Sequence, residues 1–181
     1  LMKLKNLCLL LKFSMVMSVL STTSYAQYVP HEVSCLADNI YWEARNQPTR
    51  GMIAVANVTR NRVNSPHYPD TYCEVIKEGP IRESWKTRKN PDLPDSERIY
   101  FPKRDRCQFS WYCDGKSDEI PKADLNIYEL STAIAFKIIH GDFYDNTGGS
   151  THYHADYVSP DWANHMEQTI VIGNHIFYKF P

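Results

Sequence analysis

With 181 residues, 43 % of them hydrophobic, the chain has room for one domain of ordinary size around a true core, and its composition is not that of a disordered chain. Twenty basic against 21 acidic residues give a formal charge of −1, so there is no electrostatic reason to expect nucleic acid or an anionic membrane surface as a partner. No internal repeat or low-complexity tract occurs.

The first 26 residues read as an export signal. Met2-Lys-Leu-Lys-Asn is a basic n-region, Leu7 to Leu20 an apolar h-region, and Ser24-Tyr25-Ala26 a small-residue cleavage site. Lys12 interrupts the apolar run, which disfavours a spanning helix, so no stable membrane insertion is expected after cleavage; an uncleaved anchor stays open. Cleavage after Ala26 removes Lys3, Lys5 and Lys12, leaving 17 basic against 21 acidic residues, a formal charge of −4. It also removes Cys8 and leaves Cys35, Cys73, Cys107 and Cys113. An even set after an export signal suggests disulfides. Three connectivities are open; Cys107 with Cys113 closes the shortest loop and is the first choice, which would leave Cys35 with Cys73. A four-thiolate metal site is the competing idea, but the spacing contains no Cys-x-x-Cys pair.

From Val33 to Asn46, the residues Val33, Leu36, Ile40 and Ala44 recur at helical spacing; Pro30 suits a first turn and Asn46-Gln47-Pro48 ends the helix. Thr49 is expected to cap a second helix, about residues 50–63, with Met52, Val55, Ala56, Thr59 and Val63 as its stripe. Asn57-Val58-Thr59 matches a glycosylation sequon but lies inside that helix. Thr71-x-x-Glu74 has the form of a capping box opening a short helix that Gly79 closes. From Pro80 to Arg106 the periodicity disappears, and eight basic and five acidic side chains predict a long surface loop, with Trp85, Tyr100 and Phe101 available to a groove rim. Asp124 is expected to cap a third long helix reaching His140, with Ile127, Leu130, Ile134 and Ile138 inward. Residues 150–156 alternate, and 169–172 and 175–180 flank Gly173-Asn174, a two-residue hairpin with glycine first as a type II′ turn requires. Helices followed by a small antiparallel sheet near the C-terminus make an α+β domain over residues 27–181, with a groove where the two meet.

Three stretches concentrate groups able to do chemistry. Glu43 lies seven residues after Leu36, hence roughly 20° from the apolar stripe at about 100° per residue. A carboxyl facing the core near a helix C-terminus is pushed toward its neutral form, which is what a general acid needs. The bland alternative is a boundary glutamate paired with Arg45 or Arg50. The second stretch is Gln108-Phe109-Ser110-Trp111, where short polar side chains sit beside stacking surfaces inside the expected small disulfide loop, a pairing suited to sugar rings. The third runs through Thr151, His152, Tyr153, His154 and Asp156, followed by Asp161 and Trp162. In a strand His152 and His154 share one face while Thr151 and Tyr153 share the other. His-x-His invites a metal reading with Asp156 as third ligand. No His-Glu-x-x-His, Gly-x-Ser-x-Gly or phosphate-binding glycine loop is present.

At this point a resemblance becomes specific. Tyr41-Trp42-Glu43-Ala44-Arg45, the run from Gly51 to Val63, Tyr68-Pro69-Asp70-Thr71, the run from Cys107 to Gly115, and Thr147-Gly-Gly-Ser-Thr-His-Tyr-His154 occur in the order found in SleB/CwlJ-type cell wall hydrolases, the spore-cortex-lytic family. The chain resembles that family over most of residues 33–165. The resemblance implies a mainly helical, lysozyme-like domain acting on peptidoglycan glycan strands, with Glu43 as catalytic acid and Gln108, Ser110, His152 and Tyr153 in or near the cleft. It departs from the family pattern in the excursion from Pro80 to Arg106 and in lacking the peptidoglycan-binding repeats that often accompany such domains.

The expected function is a peptidoglycan glycosidase cutting between N-acetylmuramic acid and N-acetylglucosamine: a lytic transglycosylase with one carboxylate, or a muramidase if Asp114, Asp156 or Asp161 supplies a second. Glu43 is the expected catalytic residue, and Gln108, Phe109, Ser110, Trp111, Thr151, His152, Tyr153 and His154 the expected substrate contacts, with no metal or cofactor. The rivals are a metal-dependent amidase using His152, His154 and Asp156, and a non-catalytic module stacking sugars on Trp42, Trp111 and Trp162. The enzyme is expected to be periplasmic or secreted, and a monomer.

Overall fold

The computed structural model describes residues 30–181; the expected export signal lies outside them. Among the described residues, no helix is long and apolar enough to cross a membrane. Helix α1 (His31–Ala44) is the central element, and α2 (Thr49–Val63), α3 (Tyr72–Lys77) and α5 (Leu125–Ile139) pack against it. Its expected stripe is the core: Leu36, Ala37, Ile40 and Ala44 are fully buried together with Val55 and Ala56 of α2 and Ala135 of α5. Burying one such leucine or isoleucine contributes about 1.5–3 kcal/mol.

The helix ends follow local chemistry with two departures. Pro48, rather than Thr49, precedes the first turn of α2, and its carbonyl accepts from the Gly51 and Met52 N–H groups at 2.7 and 3.2 Å. Asp124 stands before α5 but makes no side-chain cap; its carboxylate instead accepts the Tyr41 hydroxyl at 2.6 Å, a tertiary bond that outcompetes the local one. The Thr71 capping box forms, with its hydroxyl accepting from Glu74 N–H at 3.2 Å. Glu32 adds a cap from another helix, accepting from Tyr72 N–H at 2.7 Å. On α5 the buried stripe is Ser131, Ile134, Ala135 and Ile138, whereas Leu130, expected inward, is 37 % exposed. Ser131 is tolerated there because its hydroxyl donates to the Ile127 carbonyl at 2.9 Å.

The C-terminal sheet runs β3 (His152–Ala155), β5 (His175–Lys179), β4 (Glu167–Ile172), antiparallel throughout. At the β4–β5 turn Gly173 has φ +57°, and a Cβ there would collide with the Gln47 side-chain carbonyl, which accepts from Asn174 N–H at 3.1 Å. That contact locks the hairpin to the α1–α2 corner. Ile172 and Phe177 complete the attachment by packing on Ala54 and Val58 of α2. The sequon asparagine, Asn57, is fully buried and donates to the Tyr144 carbonyl and Asn146 Oδ1 at 3.2 and 3.0 Å, so its local role is structural.

Both expected disulfides form, Cys35 with Cys73 tying α1 to α3 and Cys107 with Cys113 closing the short loop. The excursion from Pro80 to Arg106 is on the surface, as expected, but it is not structureless. Strands β1 (Ile81–Glu83) and β2 (Tyr100–Pro102) pair antiparallel and enclose α4 (Trp85–Arg88). Elements of three and four residues are too short to leave a period in the sequence.

Candidate active site

Glu43 stands in the last turn of α1, and Tyr153 comes from the middle of β3. The Tyr153 hydroxyl donates to Glu43 Oε2 at 2.8 Å. Glu43 keeps part of its surface on the cleft, while its carboxyl is hemmed in by protein on nearly every side. That burial pushes the carboxyl above its ordinary value, with the Tyr153 hydrogen bond and the positive charge of Arg62 pulling the other way. Burial, reinforced by the neighbouring Glu43, holds the Tyr153 hydroxyl well above the ordinary tyrosine value, so it remains a donor. The pair is therefore an acid that favours its neutral form and carries a fixed donor for its charged form.

The pair opens onto a cleft of about 580 Å³. One wall comes from the short disulfide loop and the segment just beyond it, with Ser110, Trp111, Asp114 and Asp118; the facing wall comes from β3 and its continuation, with His154, Tyr157 and Val158. Trp111 stacks on Trp42 with ring centroids 6.4 Å apart and 23° between planes, and its indole N–H donates to Asn39 Oδ1 at 2.9 Å. Arg45 lies over Trp42 at 4.9 Å, so it braces the tryptophan and leaves Glu43 unpaired with it.

The expected contacts divide. Glu43, Ser110, Trp111, Tyr153 and His154 line this cleft. Phe109 is buried in the core beneath it, and Gln108 is exposed on a separate depression with His67 and Phe180. Thr151 is buried at the start of β3, where its carbonyl accepts from Arg62 Nε at 2.7 Å. His152 shares with His154 the face of the strand opposite Tyr153, their rings 5.4 and 5.6 Å from that of Trp162; only His154 of the two borders the cleft, and burial lowers the pKa of His152 to about 4. Of the candidate second carboxylates only Asp114 lines the cleft, held below its ordinary value by the backbone N–H and amine of Lys116; Asp156 and Asp161 are exposed elsewhere.

The proposed metal triad does not assemble. His154 is used twice within the protein, with Nδ1 2.8 Å from the Ala155 carbonyl and Nε2 2.9 Å from the Tyr178 hydroxyl. The carbonyl fixes the proton on Nδ1, so Nε2 is the acceptor. Among the described residues, the metal-ligand trio that comes together is His31, Cys35 and Cys73, whose two sulfurs are already joined.

Periodicity could not find three other members of the neighbourhood. Arg62 lies on α2, is 5 % exposed, and sits over the Phe109 ring at 5.1 Å, with Nη1 lacking a hydrogen-bond partner among the described residues. His175 lines the cleft from β5, with its ring 5.0 Å from that of Tyr153. Asp118 lines it from an irregular segment, and burial pushes its carboxyl up. Nothing in the spacing marks α2 as buried on both flanks, which is what brings Arg62 under the site.

A family model described as Cell Wall Hydrolase matches residues 46–178, starting just after Glu43. A spore cortex-lytic enzyme of Halalkalibacterium halodurans is 28 % identical over 87 % of this chain and 37 % of its own length. Another from Bacillus cereus is 27 % identical over 84 % of this chain and 46 % of its own length. The chain thus spans less than half of these two curated relatives. Among solved structures, the catalytic domain of the germination-specific lytic transglycosylase SleB from Bacillus anthracis superposes with TM-score 0.56 at 26 % identity, covering 86 % of this chain and 99 % of that one. The catalytic domain of the Bacillus cereus SleB protein gives TM-score 0.54 at 25 % identity, with the same coverage. A family match over most of the chain, agreeing with the order of motifs and with the fold, means that this chain belongs to the SleB/CwlJ-type cell wall hydrolases.

Proposed function

We propose that this protein is a peptidoglycan-cleaving glycosidase, and specifically a lytic transglycosylase that uses Glu43 as both acid and base. The single observation that carries the reading is the Glu43 carboxyl, sheltered enough to favour its proton yet hydrogen-bonded by Tyr153 at the edge of a cleft walled by stacked tryptophans. The similarity to the SleB catalytic domain, described as that of a lytic transglycosylase, supports the same assignment.

Neutral Glu43 donates its proton to the oxygen joining N-acetylmuramic acid to N-acetylglucosamine, and the bond breaks through an oxocarbenium-like transition state. The resulting carboxylate accepts the Tyr153 hydrogen bond and is stabilised by Arg62. It then takes the proton of the muramyl C6 hydroxyl as that oxygen closes on C1, which gives an anhydro end and restores neutral Glu43. Trp42 and Trp111 hold sugar faces, while Ser110 sits within reach of sugar hydroxyls and His154, its nitrogens occupied by the Ala155 carbonyl and the Tyr178 hydroxyl, borders the cleft. A muramidase would need a second carboxylate activating water; Asp114 and Asp118 line the cleft, and since its engagement with Lys116 makes Asp114 a poor base, Asp118 is the carboxylate that such a reaction would use.

The same reading takes residues 27–181 as one catalytic domain, with residues 1–26 removed on export. The mature enzyme is then periplasmic or secreted and works as a monomer on glycan strands. Mass spectrometry of muropeptides released from purified sacculi tests the reaction: anhydromuramyl ends are expected, free reducing ends would make it a muramidase, and free stem peptides would make it an amidase. Full activity in Glu43→Gln would remove the assignment. N-terminal sequencing of the exported protein checks cleavage after Ala26, and sedimentation checks the monomer.

A further inference from the structure

The excursion from Pro80 to Arg106 takes no part in the cleft, yet it is a built surface. Ser84 accepts from Lys86 N–H at 3.3 Å to start α4, and the buried Thr87 hydroxyl donates to the Ser84 carbonyl at 3.2 Å. The arm is fastened at its base, where Lys103 N–H donates to the Pro80 carbonyl at 2.8 Å and Asp105 N–H to the Cys113 carbonyl at 3.1 Å. Its outer face carries Trp85, Ile99 and Phe101, each about half exposed at 58, 49 and 50 %, around a depression of about 350 Å³. Isolated apolar side chains on a surface need no explanation, but three grouped around one hollow do.

The same hollow is rimmed by Arg82, Lys86 and Arg88, which have no carboxylate within 4.0 Å among the described residues. Two of the arm's acids are occupied instead, Glu83 and Asp95, both held by Arg98 at 2.8 and 3.3 Å. The result is an apolar floor with unneutralised cations at its edge. The arm continues directly into the short disulfide loop whose Ser110 and Trp111 form one wall of the cleft.

We propose that this arm is a second wall-binding surface that grips the carboxylate-bearing stem peptides of the strand whose sugars occupy the cleft. The proposal rests on the glycosidase reading. A glycan lying in the cleft carries stem peptides on its muramyl residues, and those peptides present discrete carboxylates separated by aliphatic stretches. Guanidinium forks match carboxylates, and Trp85, Ile99 and Phe101 match the aliphatic parts. A continuous phosphate backbone fits worse, because Glu83, Asp92, Asp95 and Glu97 are interspersed along the same arm.

Retention on purified sacculi tests this, using Glu43→Gln protein so that the polymer is not consumed. Binding to peptide-bearing sacculi is expected to fall with added salt, and to drop roughly tenfold in Arg82→Ser/Lys86→Ser/Arg88→Ser, since three exposed ion pairs are each worth only a modest factor. Trp85→Ala is expected to weaken it too, whereas Arg82→Lys/Arg88→Lys retains most of it. Immobilised glycan strands freed of stem peptides, with the lactyl carboxylates so exposed blocked as amides, should bind all of these variants alike, through the cleft alone. Unchanged retention of the triple variant on intact sacculi overturns the proposal. So does equal loss on the immobilised peptide-free strands, or retention of equal strength on DNA or on anionic phospholipid vesicles. Muropeptide release by the protein with Glu43 intact is measured separately; its absence would sink the glycosidase and leave retention to decide the arm.

Discussion

Replacing Tyr153 by phenylalanine isolates the bond on which the chemistry turns. The hydroxyl donates at 2.8 Å to Glu43 Oε2, and a hydrogen bond to a charged group is worth about 1.5–3 kcal/mol in favour of the ionised form. Losing it shifts the ratio of neutral to ionised Glu43 by roughly tenfold or more toward the neutral acid. A general acid must be protonated in the free enzyme, so kcat/KM falls on the alkaline side as Glu43 ionises, and in Tyr153→Phe that fall moves to higher pH. Turnover at neutral pH drops nonetheless, because the carboxylate formed after proton donation has lost the group that stabilised it. The assay is muropeptide release from sacculi as a function of pH, with the alkaline limb fitted for both proteins. A limb that stays put, or moves to lower pH, refutes the reasoning.

Glu43→Gln should lose about 10²–10⁴ in rate, the usual contribution of a positioned acid. Because burial holds Glu43 above its ordinary value of 4.5, its contribution to stability is complete below that pH and is lost as pH rises through the folded value. Urea midpoints of Glu43→Gln should therefore exceed the parent at pH 8 and converge with it near pH 4. Cys35→Ser/Cys73→Ser opens a link across 38 residues, for which chain entropy gives about 4 kcal/mol, against about 2 kcal/mol for the six-residue link between Cys107 and Cys113. Urea unfolding should rank the two pairs in that order, while sacculus turnover should suffer more from opening the shorter link, which shapes the cleft wall. Trp111→Ala strands the buried Asn39 carbonyl oxygen at a cost of about 1–3 kcal/mol and removes a stacking face, so KM should rise along with a lower urea midpoint. Dialysis against a strong chelator should leave activity unchanged, since both nitrogens of His154 are committed within the protein.

Much of this arrangement is legible in the residues. The α1 stripe of Val33, Leu36 and Ile40, with Glu43 nearly in line, reports a carboxyl turned toward the core, and the Gly173-Asn174 pair reports the hairpin beside it. What could not be read is which polar residues meet across the cleft. His152 and Tyr153 are adjacent in one strand, and alternation places them on opposite faces without saying which face meets α1. Tyr153 wins because its ring belongs with Phe177 and the α2 core, with centroids 5.6 Å apart. Phe109 and Gln108 fail to reach the cleft for a similar reason: the first fills a core beneath Arg62, and the second is turned outward by a backbone bond from its N–H to the Glu78 carbonyl at 2.9 Å. Leu130 misled because a fourth apolar residue at helical spacing looks inward, although α5 has room to bury only the stripe through Ser131.

The two halves of the proposed acid–base pair are 110 residues apart and, among the described residues, are contributed by the first helix and the antepenultimate strand. Until the C-terminal sheet docks, Glu43 is an ordinary glutamate in water, with neither shelter for its proton nor a phenol to receive its charge. On the proposed reading, a chain whose C-terminal sheet has not docked lacks the Tyr153 half of the pair and so has no way to cleave glycan. Competence arrives only as the closing hairpin clicks onto the Gln47 corner, making completion of folding itself the arming step.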